Sequence, residues 1–584
     1  MDNKQKLVEK RFNEWISDGY FDEETRLELK NIKDKDEIYD RFYRDLEFGT
    51  AGLRGVMGAG TNRMNIYVVR RVSYAISQYI KSFGDKAMSR GIAVSYDTRL
   101  NSEVFAKEAA AVFASNGIKT KIFRAPAPVP VLSYTVWEGD FQAGIMITAS
   151  HNPKQYNGYK VYWEGGVQIA PAMADEITKI IDSFFDFSKI PDPSFSKEIR
   201  RGFLSFFEDD QIEKFTNRVT ALKADNDLIR DHSGEICIVY TPLFGAGAKY
   251  MGRAIKKLGF KNFHMVRSQS RADGNFPGLT VPNPENPAAL EKGIKLAKKL
   301  KADIVFGTDP DSDRMGAAVR LGDGSYRSLT GNEIGCLFMD YIIGVRKRNG
   351  CLPKDAFAVS TIVSTDLAGR IAEANGVEFK TVLTGFKFIG DLINEANKDS
   401  FILGFEESYG FLTEGYARDK DGVAAGVVLC EMALYNKVVL KRSLKDALDA
   451  IHKTYGFRSE SALSIELPGE SGHENIVKLM NGLRDAGPAV LEGRINAIDD
   501  IKTGIKTFYD KNGANAGSSK IDLPRSDVLK FYLDDGWFAV RPSGTEPKVK
   551  IYVGISSFES EKACVEKAEE LKKLLKAKVA SIIG

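Results

Sequence analysis

Cysteine is scarce in this chain: five among 584 residues, at Cys237, Cys336, Cys351, Cys430 and Cys564, with no CxxC pair. So few, so scattered, they exclude a disulfide framework and a cysteine-based zinc site. An excess of charge of one sign is also lacking. Lys and Arg number 82 against 79 Asp and Glu, leaving +3, so no bulk attraction to nucleic acid or to an anionic membrane is expected. Long apolar runs are missing too. The longest weakly polar stretch, GVAAGVVLCEMALY from Gly422, carries Glu431 and is too short to span a bilayer, so it reads as a buried helix. The N-terminal MDNKQKLVEKRFNEW is charged and has no apolar core, unlike a signal peptide. A soluble, cytoplasmic protein is expected. No GxxxxGK[ST] motif occurs, which removes the main support for a P-loop nucleotidase.

What is present is an ordinary globular composition, 43% hydrophobic and 28% charged. A single core rarely exceeds about 250–300 residues, so several domains are expected. Short β-branched runs recur: IAVSYDTR from Ile92, GIMITASHNP from Gly144, ICIVYTPLFG from Ile236, DIVFGTDPD from Asp303, FAVSTIVST from Phe357 and FILGFEE from Phe401. Helical patterns lie between them, which predicts α/β layers. Polar residues that close such strands fall at a sheet edge, where open α/β sheets bind ligands. The stretch Asp186 to Gly234 is polar with few strand signals and leads toward a second domain. The expected divisions are 1–225, 226–328, 329–455 and 456–584, the last ending in the helical EKACVEKAEELKKLLKAKV.

Four strand-end loops could carry chemistry. TASHNPKQYNGYK places Ser150 after a buried-looking strand, beside His151 and ahead of Lys160. Ser150 reads either as a turn serine or as a nucleophile. No G-x-S-x-G elbow surrounds it, which argues against a serine hydrolase. GTDPDSDRMG sets Asp309, Asp311 and Asp313 at alternating positions. Carboxylates so close repel unless a cation holds them, and hard oxygen ligands favour magnesium or calcium. An EF-hand is excluded, because Arg314 and Arg320 stand where its glycine and glutamate belong. The other reading is an acidic solvated turn.

The third loop, GFEESYG, offers Glu406, Glu407 and Ser408, either as an acidic turn before a helix or as readers of sugar hydroxyls. Beyond it, Arg418 and Lys420 precede a helix start at Asp421. The fourth loop, RPSGTEPKVKIYV, combines the Arg541 fork with Ser543, Gly544 and Thr545. It reads as a phosphate cradle or as a plain hairpin turn.

In this order the four loops, with FGTAGLRG from Phe48 and TGFKFIG from Thr384, make the chain resemble the α-D-phosphohexomutase family. Within it the sequence is similar to the branch of phosphoglucomutase-2 and the bacterial α-phosphoglucomutases. The resemblance covers Gly49 to Val553. It implies three related α/β domains with mixed sheets and a smaller C-terminal α+β domain around a central cleft. It also implies reversible interconversion of glucose 1-phosphate and glucose 6-phosphate through a phosphorylated Ser150 and a bisphosphorylated sugar. Mg²⁺ would be held by Asp309, Asp311, Asp313 and the Ser150 phosphate, with glucose 1,6-bisphosphate as activator. Arg54, His151 and Lys160 would flank the transferring group. Lys160 would need a pKa well below about 10.4 to act as a base. Arg314, Gly385, Lys387, Glu406, Ser408 and Lys420 would contact the sugar phosphate, and Arg541, Ser543, Gly544 and Thr545 its other phosphate. Many members have glycines where Pro310 and Ser312 stand here, so a stiffer metal loop is expected. A pentose or mannose phosphate is the alternative substrate, and a sugar phosphatase or a non-catalytic phosphosugar-binding protein the alternative function. The expected partner is a small sugar phosphate, with no nucleic acid and no membrane, and the expected state a monomer or weak dimer.

Overall fold

The β-branched runs become strands, and the strands end at the polar loops. The computed structural model describes residues 3–49, 52–184, 187, 190, 193–467, 472–491, 493–543 and 548–583. Two compact units emerge, one comprising residues 1–334, 344–357 and 386–444, the other 335–343, 358–385 and 445–584.

In the first unit, six strands form one mixed sheet: β1 (Leu53–Val56), β2 (Ile92–Tyr96), β3 (Thr120–Ile122), β4 (Ala143–Ile147), β5 (Tyr156–Trp163) and β6 (Leu204–Phe206). Their order is β1-β5-β4-β2-β3-β6. β2 pairs in parallel with β3 and β4, while β5 runs antiparallel to β1 and β4. Every residue of β2 and β4 is buried, as expected for central strands covered on both faces. The polar stretch leading to Gly234 contributes β6 to this sheet, parallel to β3, and helices Phe195–Arg201 and Asp210–Thr220. Its strand is three residues long, too short to leave a periodic signal.

Ahead of this sheet come three short helices, Asn3–Ser17, Glu23–Asn31 and Lys35–Phe42. Asp22 and Asp34 cap the second and third by accepting from Thr25 N and Asp36 N, each worth about 1 kcal/mol. Trp15 stacks on Phe21 at 4.2 Å, and Phe21 meets Tyr67 edge-on at 4.8 Å. These rings join the core of the first sheet, where each buried phenylalanine contributes roughly 1.5–3 kcal/mol.

A second mixed sheet contains β7 (Ile238–Thr241), β8 (Phe263–Met265), β9 (Ile304–Thr308), β10 (Met315–Arg320) and β11 (Tyr326–Leu329), in the order β11-β10-β9-β7-β8. Strands β12 (Phe357–Thr361) and β13 (Glu378–Val382) follow, then β14 (Phe401–Glu406) and β15 (Gly410–Leu412), which close an antiparallel hairpin. Helix Gly422–Val438 is buried along nearly its whole length. Asp421 caps it by accepting from Val423 N and Ala424 N. No described helix is long and apolar enough to cross a membrane.

The second unit carries β16 (Phe457–Glu466), β17 (Ala497–Asp500), β18 (Ile505–Tyr509), β19 (Asn515–Lys520), β20 (Leu529–Leu533), β21 (Gly536–Pro542) and β22 (Lys548–Ser557). They form an antiparallel sheet in the order β16-β22-β21-β20-β17-β18-β19. Helices Gly472–Ala486 and Glu561–Ile583 pack on it around Leu479, Phe531, Phe538 and Leu571.

Candidate active site

β2 and β4 are parallel neighbours with Tyr96 opposite Ile147. Their C-terminal ends therefore deliver Asp97 and Arg99 beside Thr148 and Ser150. Ser150 is buried and takes a left-handed backbone at φ 51°, an uncommon conformation that the surroundings must hold. Thr148 Oγ1 accepts from Ser150 N at 2.8 Å and donates to Asp97 Oδ2 at 2.6 Å. Arg99 Nη2 donates to the main-chain oxygens of Ser150, at 2.6 Å, and of Asn152. Its Nη1 reaches Pro153 O and Tyr156 O at 3.0 and 3.1 Å. Asp97 lies 3.4 Å from Arg99 Nε, and both side chains are 0% exposed. Burial raises the Asp97 pKa, opposed chiefly by Arg99.

The metal loop follows β9. Asp309 and Asp311 are 0% exposed and Asp313 2%. One oxygen from each carboxylate lies within 4.8 Å of the others. Ser150 Oγ donates to Asp309 Oδ2 at 2.7 Å, and Arg314 N donates to Asp309 Oδ1 at 3.0 Å. Lys160 Nζ bridges Asp311 Oδ2 at 2.9 Å and Asp313 Oδ2 at 3.1 Å. Lys420 Nζ stands 3.3 Å from Asp313 Oδ2 and donates to Asp419 Oδ1 at 3.1 Å. Tyr162 in turn donates to Asp419 Oδ2 at 2.6 Å.

Among the described residues, Asp311 Oδ1 and Asp313 Oδ1 are buried without a hydrogen-bond partner. A buried carboxylate oxygen is costly in that state, and a hard divalent cation with oxygen ligands would satisfy both. The residues present therefore fit a metal ion. Charge crowding is evident in Asp309, whose pKa is raised well above the carboxylate range by burial and by Asp311 and Asp313. Asp313 is held low despite burial, by Lys160, Lys420 and Arg314.

Backbone from two neighbouring segments, at Ala246 and Gly422, braces the loop. Ser312 has φ 54°, and its carbonyl accepts from Gly422 N at 2.9 Å. Pro310 O accepts from Ala246 N at 2.8 Å. A Cβ on Gly245 would stand 2.6 Å from Pro310 Cα, so only glycine permits that approach.

The chain is similar to known proteins along most of its length. Four family models match in order: phosphoglucomutase/phosphomannomutase α/β/α domain I over residues 45–185, domain II over 213–322, domain III over 330–455 and the C-terminal domain over 479–571. A phosphoglucomutase of Staphylococcus saprophyticus is 33% identical over 519 residues, 87% of this chain and 90% of that protein. The chain belongs to the phosphoglucomutase/phosphomannomutase family. A Staphylococcus epidermidis phosphoglucomutase is 34% identical over 93% of this chain and 96% of its own length. Solved structures share the fold. A phosphoglucomutase/phosphomannomutase family protein from Burkholderia thailandensis superposes with a TM-score of 0.65 at 20% identity, covering 91% of this chain and 97% of that one. Parafusin from Paramecium, a phosphoglucomutase in open form, gives 0.68 at 17% identity over 92% and 95%. The four-domain α/β architecture is that of this family.

For this phosphoglucomutase/phosphomannomutase chain, the first unit gathers most of the candidate residues. His151 Nδ1 lies 3.2 Å from Ser150 Oγ. Burial, then Arg314 and Arg54, holds its pKa well below the usual histidine value. Arg54 is exposed and donates to Asn152 Oδ1 at 3.2 Å. Arg314 pairs with Glu285. Glu406 ends β14 and is buried, while Ser408 sits in the β14–β15 turn. That loop leads into a hairpin, not into a helix as one reading of the sequence had it. Lys387 lies on helix Phe386–Glu395.

Asp311 and Asp313 outweigh burial and raise the pKa of Lys160, the direction opposite to the lowering that a base requires. Arg418 is buried. Its guanidinium donates to Asn394 and to the carbonyls of Gly415 and Ala417, and it packs 5.0 Å from the Trp137 ring. It braces the chain ahead of Asp421. Gly385, Arg541 and Ser543 belong to the second unit. Arg541 is the penultimate residue of β21, opposite Lys550, and Ser543 N donates to Lys548 O at 2.8 Å. Gly544 and Thr545 lie outside the described residues. Asp97, Arg99, Thr148 and Asp419 were missed as site residues. For Asp97 and Arg99 the signal was present in the DTR that closes strand IAVSY.

Proposed function

We propose that this protein is a phosphoglucomutase that interconverts glucose 1-phosphate and glucose 6-phosphate by way of phosphate carried on Ser150. The observation that carries the reading is the Ser150 hydroxyl, buried and left-handed, 2.7 Å from Asp309 in a three-carboxylate cluster. Relatives of about one-third identity across nearly the whole chain are phosphoglucomutases. Asp309, Asp311 and Asp313, with an oxygen of the Ser150 phosphate, would hold Mg²⁺, which would neutralise phosphoryl charge.

The chain's own groups divide the remaining work. Neutral His151 can accept a proton near Ser150 Oγ, and the Lys160 ammonium can donate hydrogen bonds to phosphoryl oxygens. Arg99 fixes the backbone that presents the serine. Glu406 and Ser408 read sugar hydroxyls. Arg541 and Ser543, with Gly544 and Thr545, dock the phosphate that is not transferred. The sugar passes through glucose 1,6-bisphosphate, which returns its other phosphate to Ser150. We place the enzyme in the cytoplasm, a reading supported by five free cysteines.

The test is a mutase assay on glucose, mannose and ribose 1-phosphates primed with trace bisphosphate, with peptide mapping of the phosphorylated residue. Highest kcat/KM on glucose 1-phosphate and phosphate on Ser150, both lost in Ser150→Ala, are expected. Preference for another sugar would reassign the substrate. Release of inorganic phosphate without isomer would make the protein a phosphatase. An active Ser150→Ala variant would end the phosphoserine reading.

A further inference from the structure

A lysine ammonium rides on a long flexible stem and points one way only where its surroundings hold it. For Lys420 they do. Its stem crosses the end of the GFEESYG loop, where a Cβ on Gly410 would stand 2.0 Å from Lys420 Cδ. The backbone of Gly410 is not left-handed, so the glycine serves there as space for that stem. The ammonium then lies in the field of Asp313, Asp419 and, from the same loop, Glu406.

Asp419 is 2% exposed, and each of its carboxylate oxygens takes two donors. Oδ1 accepts from Lys420 N at 2.8 Å and from Lys420 Nζ at 3.1 Å. Oδ2 accepts from Tyr162 OH at 2.6 Å and from Gln168 Nε2 at 3.0 Å. Gln168 Nε2 also donates to the Tyr162 hydroxyl at 3.1 Å, and the backbones of the two residues are bridged. The carboxylate therefore cannot turn without breaking bonds to both. Tyr162 follows Lys160 by two residues on β5, so their side chains share one face of that strand. That face serves both ammoniums at Asp313 Oδ2. Lys160 reaches it directly at 3.1 Å, and Lys420, 3.3 Å away, is held by way of Asp419.

We propose that Asp419, anchored by Tyr162 and Gln168, is a positioning residue that aims the Lys420 ammonium at the substrate. The proposal rests on the reading of Lys420 as a contact to the sugar phosphate. Without the Asp419 charge, Asp313 and Glu406 alone would draw the ammonium, and the arriving sugar phosphate would have to order the lysine stem. That cost falls on substrate binding, so KM carries it.

Steady-state kinetics of the full-length protein at saturating Mg²⁺ tests this, on whichever of glucose, mannose and ribose 1-phosphate the wild type turns over fastest. Asp419→Asn removes the charge and keeps the shape. KM should rise about 3–10-fold, with kcat within about twofold. Because Asp419 is buried and its replacement could disturb folding, Tyr162→Phe provides a second variant. It removes only the hydroxyl and should raise KM about 2–5-fold. Lys420→Met should raise KM at least as much as either. Combining it with either variant should add nothing further, because the group being aimed is gone. KM effects that multiply in the combined variants would show that Asp419 acts on the fold and not through Lys420, and would overturn the proposal. So would wild-type KM in both Asp419→Asn and Tyr162→Phe, a loss confined to kcat, or wild-type kinetics in Lys420→Met. A wild type inactive on all three sugars would remove the mutase reading, and this role with it.

Discussion

Arg99 donates through Nη2 to the main-chain oxygen of Ser150 at 2.6 Å. The same guanidinium holds the carbonyls of Asn152, Pro153 and Tyr156. One planar fork thus fixes the turn that carries the serine, and Asp97 beneath it balances the charge. The left-handed backbone at Ser150 is strained for a residue with a Cβ, and these bonds are what hold it.

Arg99→Lys keeps the charge and loses the fork. The loop should then relax, and kcat should fall by roughly 10–100-fold, about 1.4–2.8 kcal/mol of transition-state stabilisation. KM for glucose 1-phosphate should change little, since Arg99 is assigned no substrate contact. Steady-state kinetics separates the two. A raised KM at unchanged kcat would mean that Arg99 binds substrate instead of positioning Ser150.

Asp311→Asn removes one anion from the three-carboxylate cluster and weakens the Lys160 bridge. Metal content after dialysis should drop, and turnover should fall strongly. Chelation of the wild type should abolish turnover, and added Mg²⁺ should restore it. Full turnover after exhaustive chelation would remove the metal assignment.

Arg541→Lys tests the second unit. Lysine keeps the charge without the bidentate geometry, so a loss of roughly 1–3 kcal/mol, about 5–150-fold in kcat/KM, is expected. Phosphate on Ser150 should be unaffected, as read by mass spectrometry on the same preparation. Wild-type kcat/KM would leave Arg541 as a hairpin residue.

Lys530 supplies a pH dependence away from the site. Its Nζ donates to Ile362 O at 2.7 Å and lies 4.4 Å from the Trp537 ring centroid. Burial, against the pull of Asp499 and Asp366, lowers its pKa from 10.5 to about 8. Below that value the lysine is protonated in both the folded and the unfolded chain. Between about 8 and 10.5 the unfolded chain binds more protons, so stability should rise with pH. Hydrogen exchange of Leu529–Leu533 should slow, relative to Lys530→Met, as pH climbs through that window, after correction for intrinsic rates. Parallel profiles for the two proteins would show that the lysine is not perturbed.

The local parts of this protein were legible in its sequence. Strand ends followed by polar turns, the i, i+2 spacing of Asp309, Asp311 and Asp313, and the cap at Asp421 are short-range features, and short-range geometry follows from residue order. β6 was not legible, because three residues give no period and its pairing with β3 is what makes it a strand.

What the tertiary structure alone decided is which groups meet. Thr148 and Asp311 are 163 residues apart and 3.1 Å distant; Lys160 and Asp311 are 151 apart and 2.9 Å distant. Those encounters depend on sheet register and domain packing, which no local pattern encodes. They also set the direction in which a pKa moves. A buried lysine alone would lose its proton more easily, but two carboxylates brought from another sheet make Lys160 hold it more tightly. Arg99 reads in sequence as the end of a strand. Only the fold places it under Ser150, because parallel pairing of β2 with β4 sets the two strand ends side by side.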